Sequence, residues 1–400
     1  MQYRPDIDGL RSVAVLSVII SHASPALLPG GFLGVDIFFV ISGYLIASLV
    51  ARDVEAGSFS GSTFYARRIR RLVPAFFVAM LATLVAGMFF MLPSELERTS
   101  LSVLSAVASV SNYFFALTSG YFAPDAALDP AMHTWSLAVE EQYYLVFPAL
   151  LVLFYRRSRR AMFGLLAAIA IVSFVAAVRA TDANSGFAYF ALWTRAWELL
   201  AGAMLALGMP SLSNKLNPLI GHALAASSAI ALGLCFALFD KTVAHPGYPT
   251  LIPVVATMGI IATGAAGTFI SRLLSLRPFV FVGLISYSAY LWHQPIIAFY
   301  STIIGEKSIL VVITLVAASL LAGFISWALI ERPARRLRIS NGKTYIAFLL
   351  SVVILAGAAS KIIATDGMPG RLPDSALRIA SYETPETDIA RNCNIDDAKD

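Results

Sequence analysis

Long apolar segments constrain this chain more than any other feature of its sequence. A bilayer crossing takes about 20 apolar residues. With 58% apolar and only 13% charged residues, the chain has more apolar surface than one soluble core can bury. Glycine and proline are spread through the apolar runs, which helices in a bilayer tolerate. The sequence therefore predicts an all-α, polytopic transmembrane bundle of about eleven spans, near residues 12–28, 31–50, 73–92, 136–155, 161–179, 188–208, 218–239, 250–270, 279–303, 308–330 and 344–364.

Basic residues predict the orientation of this bundle. Connections on one side hold nineteen Arg and Lys residues, whereas those on the other side, before the last span, hold only Arg98, Arg179, Lys241 and Lys307. By the positive-inside rule the N-terminus is cytoplasmic and the C-terminus extracytoplasmic. If the segment 93–135 crossed the membrane, every later loop would lie on the opposite side and the bias in basic residues would be lost. We therefore predict that this segment does not span. The same rule explains the net charge of +5, and nucleic acid is not an expected partner.

The first span has an alternative interpretation as a signal peptide, with Ser21, His22 and Ala23 as a small-residue cleavage site. A second apolar run follows after a few residues, and cleavage would remove a histidine from the membrane. We therefore favour a retained span. The two cysteines, Cys235 and Cys393, are too few for a disulfide framework or a metal cluster, and no metal site is predicted.

Ionisable residues at membrane depth are costly and are functional candidates. Arg11 and His22 are eleven residues apart, which places them on one helix face about 16 Å apart, with His22 deep in the membrane. A neutral imidazole can take a proton from a hydroxyl, and a guanidinium can hold a phosphate or carbonyl oxygen. Asp36, after a short link, is expected to approach His22 and orient it as in a triad. Alternatively, Arg11 is interfacial, His22 passive and Asp36 a helix cap.

An arginine run precedes the third predicted span, in a segment interpreted as a loop. Arg68 and Arg71 are three residues apart and share a helix face, and Arg67 lies beside them. Arginine binds phosphate in a fork, which suits the phosphates of a coenzyme A donor. Anionic membrane lipid, or the orientation of the span, explains the same run equally well.

Glu140 and Glu141 enter an apolar span side by side. Because adjacent helical residues point about 100° apart, we expect only one of them to face the bundle centre. Trp135, nearby in sequence, either stacks on a sugar ring or belongs to an interfacial aromatic belt.

Two later spans carry further candidates. Arg195 and Glu198 are three residues apart and can pair on one helix face, although Arg195 is also a candidate contact for a substrate. His293 lies in an aromatic cluster near mid-span. It is expected to act as a second acid or base, as a contact for the substrate or as a hydrogen-bonded strut.

Seven segments, in order over about residues 1–340, resemble the bacterial membrane acyltransferase-3 family. They are Arg11 with His22, GVDIFFVISGYLI at 34–46, FYARRIRRLVP at 64–74, WSLAVEEQYYLVFP at 135–148, RAWELLAG at 195–202, SYSAYLWHQP at 286–295 and ERP at 331–333.

The resemblance implies an O-acyltransferase that takes an acyl group, usually acetyl, from cytoplasmic acetyl-CoA. The implied acceptor is a hydroxyl of a cell-surface glycan such as O-antigen, lipopolysaccharide or peptidoglycan, and the implied location is the bacterial inner membrane. His22 and Arg11 match the family's catalytic histidine and its partner arginine. Arg68 and Arg71 match its arginine pair, and Glu140 matches its motif glutamate.

The resemblance also suggests a domain organisation. Residues 1–340 form the acyltransferase module, 341–366 an additional transmembrane helix and 367–400 an extracytoplasmic linker. Some members of the family continue into an SGNH-hydrolase-like domain, which is not part of these residues. The main alternative is a proton-coupled transporter or flippase in which Arg11, His22, Asp36 and Glu140 form a charge path. A third is a non-catalytic membrane anchor.

Overall fold

The structure is a computed structural model that describes residues 3–118, 127–155, 158–208, 217–305, 308–373, 375 and 377, with only the backbone of 184 and 185. These ranges contain helices and no β-strand. The helices are α1 (Pro5–Ala23), α2 (Gly34–Glu55), α3 (Gly61–Phe90), α4 (Pro93–Val107), α5 (Ser111–Thr118), α6 (Thr134–Tyr155), α7 (Arg159–Phe190), α8 (Leu192–Gly208), α9 (Pro218–Leu238), α10 (Leu251–Gly264), α11 (Phe269–Leu274), α12 (Arg277–Ile303), α13 (Ile309–Ser326), α14 (Arg332–Arg336) and α15 (Asn341–Ala364).

The predicted fold class is confirmed, because every predicted span overlaps a helix. Within the described ranges, eight helical segments are long and apolar enough to cross a membrane. The other three predicted spans correspond to α1, α10 and α12. α10 has only 14 residues, and α1 carries Asp6, Asp8 and Arg11 near its start. The number of crossings and the sidedness of the termini therefore stay predictions, and Arg156, Arg157, Lys215 and Lys307, which entered the charge argument, lie outside the described residues.

The arginine-rich segment before the third span is helical, so its interpretation as a loop is wrong. α3 begins at Gly61, where the side chain of Ser60 caps it by accepting a hydrogen bond from Thr63 N. The helix then runs for 30 residues to Phe90, through Pro74. The arginines are consequently held on a rigid element, at fixed angles around its axis.

The segment 93–135 contains α4, of 15 residues, and α5, of 8 residues. Both are shorter than the roughly 20 residues of a crossing. Residues 119–126 lie outside the described residues, and the absence of a crossing in this segment stays a prediction. α4 packs against α15, which also contacts α3. The proposed boundaries at 340 and 366 stay predictions, and most of the predicted linker lies outside the described residues.

Close helix contacts fix the centre of the bundle. α2 packs along α8, and α1 packs along α12. A Cβ atom on Gly43 of α2 would lie 1.8 Å from the carbonyl oxygen of Leu199, and one on Gly202 would lie 2.0 Å from that of Val40. Small residues permit this approach of two helix backbones, as is usual in membrane bundles. The backbones of α2 and α8 thus act as one rigid unit beside the functional side chains.

Candidate active site

A cavity of about 110 Å³ lies between α1, α2, α3, α6 and α12. On α2 its lining residues extend from Val35 to Ile46, which corresponds to about 16 Å along the helix axis. The cavity is therefore elongated along the bundle. Its wall on α2 is apolar apart from Ser42, and its walls on α1, α3, α6 and α12 carry charged or hydroxyl groups.

Three guanidinium groups meet at this cavity, those of Arg11, Arg68 and Arg71. The Arg68 guanidinium lies 3.5 Å from the ring centre of Tyr144 and 3.5 Å from the carboxylate of Glu141. Arg71 makes no hydrogen bond or ion pair with any residue that the structure describes, and its Nε is buried. A buried cation without a partner is costly, so Arg71 is suited to receive an anionic ligand.

Arg67, predicted to join this group, lies elsewhere. Its side chain is half exposed and pairs with Asp53 at 3.3 Å. Arg70 is also turned away from the cavity and donates hydrogen bonds to the carbonyl groups of Leu337 and Ile339. At 100° per residue, Arg68 and Arg71 point about 60° apart towards the cavity, and Arg67 and Arg70 follow on the adjoining side of the helix.

Glu140 faces the bundle interior, as predicted for one of the two adjacent glutamates. Its carboxylate accepts hydrogen bonds from Ser42 Oγ at 2.7 Å and from the Tyr144 hydroxyl at 3.0 Å. Glu141 is 41% exposed and contacts Arg68 from outside. The inner carboxylate therefore has a fixed position opposite the arginines of the cavity.

The bounds of the first helix differ from the predicted span, because α1 begins at Pro5 rather than near residue 12. His22 lies in the last turn of α1 and Arg11 in the second turn, and the depth of His22 in the membrane stays a prediction. The helix is continuous between them. Both side chains thus remain on one rigid helix, with Arg11 at the cavity and His22 about 16 Å further along the axis.

Three histidines gather next to the cavity. His22 Nδ1 lies 3.0 Å from Nε2 of His293 on α12, and the ring of His133 is 5.5 Å from that of His293. Tyr290, one turn before His293, lines the cavity, and its ring is 5.0 Å from the His293 ring. Its hydroxyl is 2.7 Å from Ser136 Oγ. The end of the cavity formed by Tyr290 therefore adjoins the histidine cluster.

Asp36 does not orient His22, and this part of the expected triad is wrong. Its carboxylate lies 3.0 Å from Nη2 of Arg195, within a fully buried network. Arg195 also pairs with Glu198 at 3.0 Å, which confirms that predicted pair, and it donates to His245 Nε2 at 2.8 Å. His245 belongs to the connection between α9 and α10, where burial lowers its pKa to about 3. A neutral imidazole is what the bond from Arg195 requires, because Nε2 must accept.

Trp135 and Arg195, both predicted to contact a substrate, are enclosed by protein. Trp135 is 1% exposed and packs on Phe39, Tyr189 and Phe190. The Arg195 guanidinium lies near the rings of Phe39, Trp135 and Tyr189. Neither side chain lines the cavity.

Several residues of the site carry no assigned role in the sequence interpretation, including Ser42, Ser136, Tyr290 and His245. The first three lie inside the segments that carry the family resemblance, so position in those segments was an available signal. His245 lies in a polar connection, and only folding brings it close to Arg195.

In the described part of the chain, no group of three or more His, Cys, Asp or Glu side chains is arranged to bind a metal ion.

The site has an anion-binding group at one end of the cavity and a proton-transfer group at the other. At one end, guanidinium groups can bind phosphate through charge-assisted hydrogen bonds. At the other end, an imidazole on the same helix can exchange a proton with a hydroxyl. The elongated cavity lies between these two ends.

Comparison with known proteins bears on this chemistry. A family model described as an acyltransferase domain, of the acyltransferase-3 type, matches residues 4–359. The peptidoglycan O-acetyltransferase OatA of Listeria monocytogenes is 32% identical over 355 residues, or 84% of this chain and 56% of that protein. The O-acetyltransferase OatA of Staphylococcus aureus is 32% identical over 350 residues, covering 84% of this chain and 58% of that protein. The chain thus spans little more than half the length of these relatives. No solved structure matches it.

Proposed function

This chain belongs to the membrane acyltransferase-3 family, and on that premise we propose that it transfers an acetyl group from acetyl-CoA to a hydroxyl of a cell-surface glycan. The donor approaches the end of the bundle where α1 begins, which the distribution of basic residues predicts to be cytoplasmic. The acceptor approaches from the opposite side of the bacterial inner membrane. Peptidoglycan is the preferred acceptor because it is named for the Listeria relative; O-antigen or other lipopolysaccharide sugars are the alternative.

One observation carries the proposal: the arginine-lined cavity adjoins the histidine cluster, and α1 supplies a residue to each. Arg11, Arg68 and Arg71 line the cavity and offer donors to the phosphates of coenzyme A. The pantetheine arm is a linear chain suited to an elongated cavity, so it would present the thioester towards His22. Glu140 faces the same cavity and is placed to accept a hydrogen bond from the amides of such an arm.

His22 would act as the general base. Its imidazole takes the proton of the glycan hydroxyl as the oxygen attacks the thioester carbonyl carbon. An ester bond forms, the carbon–sulfur bond breaks, and the imidazolium returns its proton to the departing thiolate. The products are the O-acetylated glycan and free coenzyme A, so atoms and charges balance.

The transporter alternative needs one connected charge path through Arg11, His22, Asp36 and Glu140. Asp36 is instead buried against Arg195 and Glu198 and does not line the cavity. The polar groups thus form separate clusters, an arrangement that supports a donor site and a reaction centre better than a continuous path.

Proteoliposomes of defined orientation test the proposal. The purified chain is supplied with radiolabelled acetyl-CoA on one side and peptidoglycan fragments on the other, and both donor binding and label on the glycan are measured. We expect transfer in one orientation only, weaker binding in Arg71→Ala, and binding without transfer in His22→Ala. Glu140→Ala is expected to lose transfer as well. Glycan labelling by His22→Ala, or no donor binding by any form, would overturn the proposal.

A further inference from the structure

His293 is hydrogen-bonded through both ring nitrogens, and this determines where its proton lies. The side chain is fully buried on α12, and its Nδ1 is 2.5 Å from the carbonyl oxygen of Tyr290. A carbonyl oxygen can only accept, so Nδ1 of His293 carries hydrogen. In the neutral ring, Nε2 is then left with a lone pair.

This arrangement fixes the proton on His22 in turn. Nε2 of His293 is 3.0 Å from Nδ1 of His22 and must accept, so Nδ1 of His22 is the donor. The proton of neutral His22 therefore lies on Nδ1, and the lone pair lies on Nε2. The two ring planes are only 25° apart, which allows an in-plane bond and limits rotation of the His22 ring.

We propose that His293 is a positioning residue that holds His22 in the tautomer with a basic Nε2; this rests on the proposed role of His22 as the base. His293 cannot reach a substrate itself, because both of its nitrogens are used within the protein. His293 would have the role that the aspartate has in a serine-protease triad, where that carboxylate sets the tautomer and orientation of the catalytic histidine. The alternative of His293 as a second acid or base is thereby disfavoured.

The neutral partner also supports the charged state of the base. When Nε2 of His22 takes the proton of the hydroxyl, the ring becomes an imidazolium and its Nδ1–H remains bonded to His293. That bond becomes charge-assisted and stronger. On the return of the proton to the thiolate, the original tautomer is restored without rearrangement.

Few other ionisable groups bear on His22 from its packing elements. Among the described residues, His133, before α6, is the other titratable group in the cluster. On α2, Asp36 is turned towards Arg195, and Arg11 and Asp8 lie three or more turns away on α1 itself. Removing His293 therefore removes the principal hydrogen-bond acceptor that the structure provides for His22 Nδ1.

Two substitutions separate positioning from simple support of the fold. His293→Ala removes the acceptor, whereas the amide of His293→Gln can accept from His22 and donate to Tyr290 at once. We expect kcat to fall about 100-fold or more in the alanine variant, by analogy with loss of the orienting group in a triad, and to recover to within about tenfold in the glutamine variant. The KM for acetyl-CoA should stay unchanged in both, because the arginines are untouched. His222→Gln, on α9, is a matched histidine control expected to behave as wild type.

The pH profile gives a second readout. Loss of the acceptor disfavours the imidazolium, so the acid limb of the rate profile should move to lower pH in His293→Ala and stay near the wild-type position in His293→Gln. Unchanged kcat in His293→Ala, or a glutamine variant that binds donor but is no better than alanine, would overturn the inference. If His22→Ala abolishes transfer while His293→Ala is normal, only this inference fails. If His22→Ala is active, the proposed function itself fails.

Discussion

Arg71 allows the donor site to be tested without disturbing the fold. Its guanidinium lines the cavity and makes no hydrogen bond or ion pair with a described residue, so Arg71→Met breaks no internal bond. A hydrogen bond to a charged group contributes about 1.5–3 kcal/mol, and 1.4 kcal/mol corresponds to a factor of ten. Replacing Arg71 by methionine should therefore weaken acetyl-CoA binding about 10- to 150-fold. The apoprotein should keep or gain thermal stability, because an unpaired buried charge is lost.

The assay is equilibrium binding of acetyl-CoA to the purified chain in nanodiscs, with the unfolding temperature measured in parallel. Arg67→Met is the matched control, since it removes the same charge from the same helix at a side chain that is half exposed and paired with Asp53. That variant should bind within about twofold of wild type, as expected for a surface ion pair. Equal weakening in both variants would mean that general electrostatic attraction explains binding. Unchanged binding in Arg71→Met would refute the assignment of Arg71 to the donor site.

Three further predictions concern the fold that holds the site. Gly43→Ala should lower stability by about 1–3 kcal/mol, since its Cβ would lie 1.8 Å from a backbone oxygen, whereas Gly233→Ala, with nothing within 4 Å, should be neutral in the same thermal unfolding assay. Arg195→Ala should cost about 3–5 kcal/mol because it removes the buried guanidinium that pairs with both Asp36 and Glu198; an unchanged unfolding temperature would contradict the network. Burial holds the pKa of His245 at about 3. Below about pH 6.5, its side chain is therefore protonated in the unfolded chain but stays neutral in the folded chain. Stability should accordingly fall as the pH drops from about 6.5 towards 3, and His245→Gln should reduce that dependence.

The sequence predicts the fold class because apolar length is a direct property of the chain. It predicts the boundaries of helices less well, since capping and local packing decide where a helix starts. α1 begins seven residues before the predicted span and α3 twelve. Because the helices begin earlier than predicted, the segment interpreted as a loop is helical and His22 lies in the last turn of α1.

The site is predicted only in part for a related reason. Arg11, Arg68, Arg71 and Glu140 share a cavity, as an inner helix face implies. Which side chains meet across different helices depends on how those helices rotate and cross, and sequence spacing does not contain that information. Asp36 is close to His22 in sequence, yet its carboxylate is turned to Arg195 on α8. The residue that hydrogen-bonds to His22 is instead His293 on α12, 271 residues away in the sequence.

The most direct test of the account is a cryo-electron microscopy structure of the chain in nanodiscs with a non-hydrolysable thioether analogue of acetyl-CoA. We predict phosphate oxygens within hydrogen-bond distance of Arg71 and the acyl end of the analogue beside Nε2 of His22. Density for the analogue outside the arginine-lined cavity, or an acyl end remote from His22, would contradict the central claim that one helix connects the donor site to the base.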